Sequence, residues 1–418
     1  MPVPSLPTEL LEDILDIVYG QFTLLGEVGD FARNVTLVNR RWTPIGRRIL
    51  WRELALQMSG KGLVYFAEHL EVYPHLSEFV EYLTLFRDDP SEEAARAVEW
   101  EDSQMNSLLE IVRRCQNLVS LHCHFIPDNE GNGFVPVRNV EKPFYDLFEA
   151  TSKLPKLERF EIFWPELTLK RFASILVPGF PALQELKLSI GEFSGHELGQ
   201  YSDYDPTTEL AAGIVQSPVE VLTVTLGGAP TVMCRILGRA IDPSVLTQLF
   251  CHGNGISNYD ELPQWIASFP ALERLSLRLR GKEQQEVLPA LSTALAGLEY
   301  LEEVLIRRNW DKWDDSKSRG EHYWSPVPLK ELLGRMPPQC TMFILEGLVF
   351  PSRQIEEFGS FKCEVIPDHE GCFLGHMVRR DRSSQSFQML LGGVHWQPDP
   401  DWCWVKDVRF NFSLIMLF

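Results

Sequence analysis

The chain has 418 residues, of which 44% are hydrophobic and 23% are charged, a composition that excludes a disordered protein. Its formal net charge of −19 repels phosphate backbones, so we expect no nucleic-acid partner. No run approaches the roughly 18 apolar residues of a membrane helix, and the acidic N-terminus is unlike a signal peptide, so we expect no membrane partner.

Length and cysteine usage narrow the class further. The length is compatible with two or three ordinary domains, or with a small module followed by a long repeat array. The eight cysteines are scattered and form no CxxC pair, which is typical of reduced thiols used as small hydrophobes. We therefore expect a cytoplasmic or nuclear protein.

The first predicted element is a short amphipathic helix over residues 7–19. Pro7 suits the first helical position, where its missing N–H costs no hydrogen bond. The apolar residues that follow have the spacing of one helical stripe. They are Leu10, Leu11, Ile14, Leu15 and Val18.

Two more short helices are predicted over about 30–39 and 44–53. Phe31, Val35 and Val38 lie on related faces of the first, and Pro44 opens the second. A piece of about fifty residues has too little volume to bury all of its large apolar side chains. Part of this surface is therefore expected to be covered by another protein, or by the domain that follows.

Three pieces of this region occur in a specific order: LPTELLEDIL at 6–15, LVNRRW at 37–42 and LWREL at 50–54. In this order they resemble an F-box, a three-helix module that docks on the Skp adaptor of SCF-type ubiquitin ligases. The resemblance implies that residues 1–54 bind a Skp-type adaptor and, through it, a cullin. The implied adaptor-binding residues are Leu6, Pro7, Leu10, Leu11, Ile14, Leu15, Leu37, Trp42, Leu50 and Trp51.

Residues 55–79 are predicted to form a helical linker, and beyond them one pattern recurs. It is a six-residue run with apolar residues at positions 1, 4 and 6, and successive runs start 26 to 39 residues apart. Each run has the size of a β-strand. The runs are VEYLTL at 80–85, LVSLHC at 118–123, LERFEI at 157–162, LQELKL at 183–188, VEVLTV at 219–224, LTQLFC at 246–251, LERLSL at 272–277, LEEVLI at 301–306 and CTMFIL at 340–345.

The segments between the runs have helical patterns. Examples are 103–115, 142–154, 169–176, 207–216 and 260–269. Alternating strands and helices at this period predict a stacked α/β solenoid over 80–366, with a parallel sheet on its concave face. The L-x-x-L-x-L core resembles leucine-rich repeats in an irregular form. A closed parallel barrel and two compact α/β domains are the alternatives.

The two resemblances together imply an F-box/leucine-rich-repeat substrate receptor, similar to divergent members found in fungi. In such a protein the repeat array holds a protein substrate. Strand residues between the apolar positions are expected to line the concavity, and aromatic residues of the loop at 307–326 are expected to anchor the partner. The predicted substrate-binding residues are Arg159, Lys187, Arg274, Arg278, Arg307, Trp310 and Trp313.

No pattern predicts catalysis. The chain has no GxGxxG, GxxxxGK[ST], HExxH or GxSxG motif. His122 and His124 share one face of a predicted strand, but no third metal ligand is suggested, so surface or groove histidines are expected. We therefore expect no cofactor, no metal and no enzyme. The alternatives are a repeat scaffold that the N-terminal helices merely cap, and an enzyme with an unrecognised site among polar residues of the concavity.

The C-terminal segment 367–418 lacks the repeat pattern and contains three tryptophans. It is interpreted as a cap on the last repeat, as a poorly ordered extension, or as sequence from a mistaken gene model. Low order is expected after about Pro367.

Overall fold

The fold is that of a computed structural model, which describes most of the repeat region and part of the N-terminus. The described residues are 8–19, 31, 33–35, 37, 38, 42–57, 62–86, 102–124, 141–164, 176, 178–190, 215–226, 230–253, 261–279, 284–308, 332, 335–337, 339, 340, 342–345, 357, 358, 361–367 and 373–379.

Helices form the N-terminal part of the chain. Helix α1 spans Thr8–Tyr19, and residues 31, 33–35, 37 and 38 are also helical. Helix α2 spans Thr43–Arg52 and has a proline in its first turn, where no intrahelical N–H is needed. It ends where Glu53 takes an extended conformation (φ −123°, ψ 117°). The chain therefore passes from helix to strand without a linker.

Strands and helices then alternate along the chain. In order they are β1 Glu53–Gln57, α3 Gly62–Val72, a 3₁₀ helix Pro74–Phe79, β2 Tyr82–Phe86, α4 Asp102–Arg114, β3 Ser120–His124, α5 Glu141–Ser152, β4 Arg159–Trp164, β5 Glu185–Ile190, β6 Val221–Leu226, α6 Pro230–Ala240, β7 Gln248–Gly253, α7 Leu262–Ala267, β8 Arg274–Leu279, α8 Gln284–Ala296, β9 Glu303–Arg308 and β10 Met342–Leu345. Three further strands follow: β11 Glu357–Phe358, β12 Phe361–Pro367 and β13 Phe373–Arg379.

All of these strands belong to one open sheet. Its order is β1-β2-β3-β4-β5-β6-β7-β8-β9-β10-β13-β12-β11. Strands β1 to β10 run parallel, each paired with the next, whereas β13, β12 and β11 add an antiparallel end. The α/β class and the open parallel sheet agree with the sequence prediction and are consistent with a solenoid-like fold. The single open sheet argues against both a closed barrel and two separate domains.

Each apolar run aligns with a strand that begins at its third residue. The first residue of the run precedes the strand and is buried between repeats. These first residues are 2% exposed or less, and they are Val80, Leu118, Leu157, Leu183, Val219, Leu246, Leu272, Leu301 and Cys340. Backbone bonds such as Gln184 N to Glu158 O (2.8 Å) extend the ladder to this position. The run is therefore one buried anchor followed by a strand.

The core lies on one face of the sheet. Positions 4 and 6 of the runs on β2 to β9 pack with the buried faces of the helices in one continuous cluster. Residues of the opposite parity, such as Phe250 and Leu305, do not belong to this cluster. These residues occupy positions 3 and 5 of the runs, and we call the sheet face that carries them the free face.

The structure adds strands at both ends of the predicted array. The predicted linker at 55–79 contains the end of β1, and Leu63, Phe66 and Leu70 of α3 are buried in the array core. The array therefore begins at residue 53, because WRELAL at 51–56 is a further copy of the 1-4-6 pattern. At the other end, β12 and β13 pair with each other and β13 pairs with β10. Residues 380–418 lie outside the described residues, so the low order expected after Pro367 stays a prediction.

Candidate interaction surfaces

The N-terminal helices have a small core of their own. Leu11 and Leu15 of α1 and Ile45 and Ile49 of α2 are buried together with Val35. Phe31, Trp42 and Leu50 are partly buried against this group. The cluster is separate from the core of the array. We call residues 8–52 the N-terminal module.

The opposite side of α1 exposes large apolar side chains. Leu10 and Ile14 are 50% and 46% exposed, and Ile17 is exposed on the same face at i, i+4, i+7 spacing. Leu37 is 81% exposed, and Val38 beside it is exposed as well. We call these five residues the apolar patch of the module.

The apolar patch is unusual for this molecule. In the part of the chain that the structure describes, the other large hydrophobic side chains with high exposure are Tyr65, Val72, Tyr73, Val215 and Tyr300. Half of the exposed large hydrophobics therefore lie within the first 38 residues. Exposed apolar side chains that are concentrated in one small module commonly mark a site of protein association.

The predicted adaptor-binding residues that the structure describes divide into four groups. Leu10, Ile14 and Leu37 are exposed, whereas Leu11 and Leu15 are buried in the module core. Trp42 and Leu50 are half-buried and support that core. Leu6 and Pro7 lie outside the described residues.

The fourth group is Trp51, which packs in the array instead of the module. Its ring stacks on Phe66 (centroids 5.7 Å apart, 23° between planes) and on His69 (5.6 Å, 6°). It occupies position 1 of the first repeat, the buried anchor position of the other runs. The resemblance to an F-box concealed this role, because WRELAL belongs to both patterns.

The free face of the sheet carries two rows of side chains that register across neighbouring strands. The first row runs Tyr82, Ser120, Arg159, Glu185, Val221, Gln248, Arg274, Glu303. The middle row runs Thr84, His122, Glu161, Lys187, Thr223, Phe250, Ser276, Leu305. In these rows, charged side chains occupy β4, β5, β8 and β9, and uncharged side chains occupy β6 and β7.

Ion pairs on this face form both within β5 and between neighbouring strands. Lys187 Nζ lies 2.9 Å from Glu185 Oε1, and Arg159 Nε lies 3.6 Å from Glu185 Oε2. Arg274 Nε lies 3.4 Å from Glu303 Oε2. Exposed pairs of this kind contribute about 0–1 kcal/mol each. Their charges therefore remain available to a partner.

The predicted substrate-binding residues are only partly brought together. Arg159 and Lys187 meet at Glu185, whereas Arg274 lies three strands from Lys187, about 14 Å at ordinary strand spacing. Arg278 and Arg307 occupy paired register positions on β8 and β9. Trp310 and Trp313 lie outside the described residues.

His122 has neighbours that the sequence did not indicate. Its Nε2 lies 2.8 Å from Ser120 Oγ, and its Nδ1 lies 3.6 Å from Glu161 Oε2 on the next strand. Glu161 pairs with it only because β3 and β4 align in this register. No sequence signal links residues 122 and 161 without that register.

Four of the described cysteines are buried in the core of the array. Burial raises the pKa of the Cys115 thiol to about 12, and it also raises the pKa of Cys123, Cys234 and Cys251 well above the ordinary value. These thiols are protonated at neutral pH, so they lack the thiolate that nucleophilic attack or metal binding requires. Across the described residues, no group of three or more His, Cys, Asp and Glu side chains is placed to hold a metal ion.

A shallow cleft of about 490 Å³ lies where the module meets the array. Its lining residues are Arg48, Glu78, Phe79, Glu81, Asn117, Val119 and Lys156. Arg52 Nε lies 2.8 Å from Glu81 Oε2 beside it, and Asn117 donates to Glu78 O at 2.7 Å. These polar contacts tie α2 to the start of β2 and β2 to β3.

In comparisons with known proteins, the sequence matches no protein-family model and no curated protein. The helices that the structure describes include none with the length and apolar character that a membrane crossing requires.

Proposed function

We propose that this chain is an F-box protein with a divergent leucine-rich-repeat array, and that it is the substrate-recognition subunit of an SCF-type ubiquitin ligase. The N-terminal module binds a Skp-type adaptor, which links the chain to a cullin. The array holds a protein substrate, and the chain performs no catalysis. It acts as a tether that raises the local concentration of substrate at the ligase.

The observation that carries this proposal is the apolar patch. Leu10, Ile14 and Leu37 match motif positions of the F-box resemblance, and each is about half or more exposed. Fully burying a leucine or isoleucine side chain stabilises by about 1.5–3 kcal/mol. A helical partner surface that covers these three side chains would therefore gain substantial binding free energy.

The test is binding of purified Skp-type adaptor to the full-length chain, measured by co-purification and by calorimetry. We expect Leu10→Ala, Ile14→Ala and Leu37→Ala together to weaken binding at least about 100-fold, since each removes apolar area that the partner buries. Their exposure predicts little change in the melting temperature.

The matched control is Tyr65→Ser with Val72→Ser. These side chains are as exposed as the patch residues but lie on α3, outside the module. We expect this variant to bind the adaptor like the unaltered chain. Unchanged binding by the patch variant, or no binding by the unaltered chain, would refute the docking assignment.

A second function is favoured by one observation. Helix α2 runs directly into β1, and Trp51 packs in the array core. The N-terminal helices could therefore serve as the cap that the first repeat of a solenoid needs. In that case the chain is a non-catalytic repeat scaffold, and removal of the module should destabilise the array.

A further inference from the structure

Four charged side chains form a two-by-two arrangement on the free face of β4 and β5. Arg159 faces Glu185 in the first row, and Glu161 faces Lys187 in the middle row. Positive and negative charges therefore alternate both along each strand and between the strands. We call these four residues the charge tetrad.

The tetrad is accessible and has defined borders. The Arg159 side chain is 61% exposed, and the other three are between 19% and 31% exposed. On the β3 side it meets Ser120 and His122, and on the β6 side it meets the uncharged Val221 and Thr223.

The pattern discriminates by the arrangement of charge on a partner. A partner of uniform charge meets attraction at two corners of the tetrad and repulsion at the other two, so it gains little. A segment with alternating charges that lies along one of the two strands meets attraction at both charged residues of that strand. Charge patterns that repel the wrong partner are a common source of specificity between proteins.

The spacing suits a protein segment. Adjacent strands lie about 4.8 Å apart, and residues two apart on a strand lie about 6.6 Å apart. An extended segment presents every second side chain on one face at the same spacing. Surface ion pairs within the tetrad are weak, so they can be exchanged for pairs with a partner at small cost.

We propose that the array takes a protein segment in which acidic and basic side chains alternate on one face, and that the charge tetrad is where this segment sits. The proposal rests on the proposed function, since it names the substrate chemistry of a receptor whose array holds protein. It excludes uniformly acidic and uniformly basic segments as ligands of this face.

The test uses the full-length chain and fluorescein-labelled peptides at low salt, with binding read by anisotropy. One peptide repeats Glu-Ser-Lys-Ser, and a second has the same composition with all glutamates before all lysines. Two more repeat Glu-Ser and Lys-Ser alone. We expect the alternating peptide to bind at least about tenfold tighter than the other three.

Variants connect that preference to the tetrad. Glu161→Gln with Glu185→Gln leaves Arg159 and Lys187, so the preference should move to the Glu-Ser peptide. The matched control is Glu110→Gln with Glu149→Gln, which removes two negative charges from exposed ion pairs on α4 and α5, away from the free face. The control should keep the preference for the alternating peptide.

Equal binding of the segregated peptide, tighter binding of a uniform peptide, or no binding by any would each overturn the proposal. So would an unchanged preference in the tetrad variant. Adaptor binding is a separate readout, because the tetrad lies on β4 and β5 and the apolar patch lies in the module. Failure of the proposed function is therefore seen as lost adaptor binding by the unaltered chain, whatever the peptides do.

Discussion

Among the described residues, Gly179 has a backbone conformation that strongly constrains its identity. Its φ is +64°, a region that side-chain-bearing residues rarely adopt. A Cβ built on it would lie 2.7 Å from the Cβ of Val215. The turn directs Phe180 N to the Ser217 hydroxyl oxygen at 2.9 Å and leads to the buried Leu183. The glycine therefore joins two neighbouring repeats.

We expect Gly179→Ala to lower the free energy of unfolding by about 1–3 kcal/mol, through the cost of the left-handed conformation and the contact with Val215. Urea denaturation measures the change. Gly297→Ala is the matched control, because its Cβ would meet only Ala294 O at an ordinary 3.7 Å. A Gly179 variant as stable as the control would show that this turn relaxes freely.

At the scale of single side chains, the sequence predicted which residues lie on helices better than it predicted which of them are exposed. It placed Leu10, Ile14 and Leu37 on helices, but it could not say which of the module's apolar residues face outwards. That division depends on how the three helices pack. It also could not pair Arg159 with Glu185, because the partner lies on a strand whose register is set by the core.

The repeat element is read well from sequence because its physics is local. An apolar residue is needed at the anchor position between repeats, and two more are needed on the core side of the strand. These requirements produce the 1-4-6 pattern at every run. The copy at 51–56 was not recognised as a repeat, because residues 51–54 also match the end of the F-box motif.

Trp51 separates these two interpretations at the element scale. We expect Trp51→Ala to lower the free energy of unfolding of the array by about 2 kcal/mol or more, because it removes the ring that stacks on Phe66 and His69. Thermal denaturation followed by circular dichroism measures this loss. Leu37→Ala, at a position 81% exposed, should leave the melting temperature unchanged.

An unchanged melting temperature together with weaker adaptor binding would contradict this prediction. It would show that Trp51 belongs to the adaptor-binding surface. The prediction thus distinguishes an array anchor from an interface residue by two independent measurements.

At the scale of the whole molecule, the module and the array are joined but have separate cores. Helix α2 continues into β1, and the pair Arg52–Glu81 ties the helix end to the second repeat. The buried clusters, however, do not merge. A receptor needs a firm connection of this kind between two separate domains, because it must hold the adaptor and the substrate in a fixed relative position. A cap would instead share its core with the first repeat.

Two deletions of different length test this division. Removal of residues 1–41 takes away α1 and the described helical residues before α2, but it keeps α2, Trp51 and all of β1. We expect this chain to lose adaptor binding while it keeps a cooperative thermal transition and a monomeric elution volume. Removal of residues 1–54 also takes Trp51 and the start of the first strand, so it should lower the melting temperature and promote aggregation.

The contrast between the deletions is what decides the function. If the shorter deletion aggregates as readily as the longer one, the N-terminal helices serve the array as a cap, and the scaffold function gains. If only the longer deletion aggregates, the array is stable from residue 42 onwards. The exposed apolar side chains of the module then have no role in holding the array, which leaves a partner as their physical explanation.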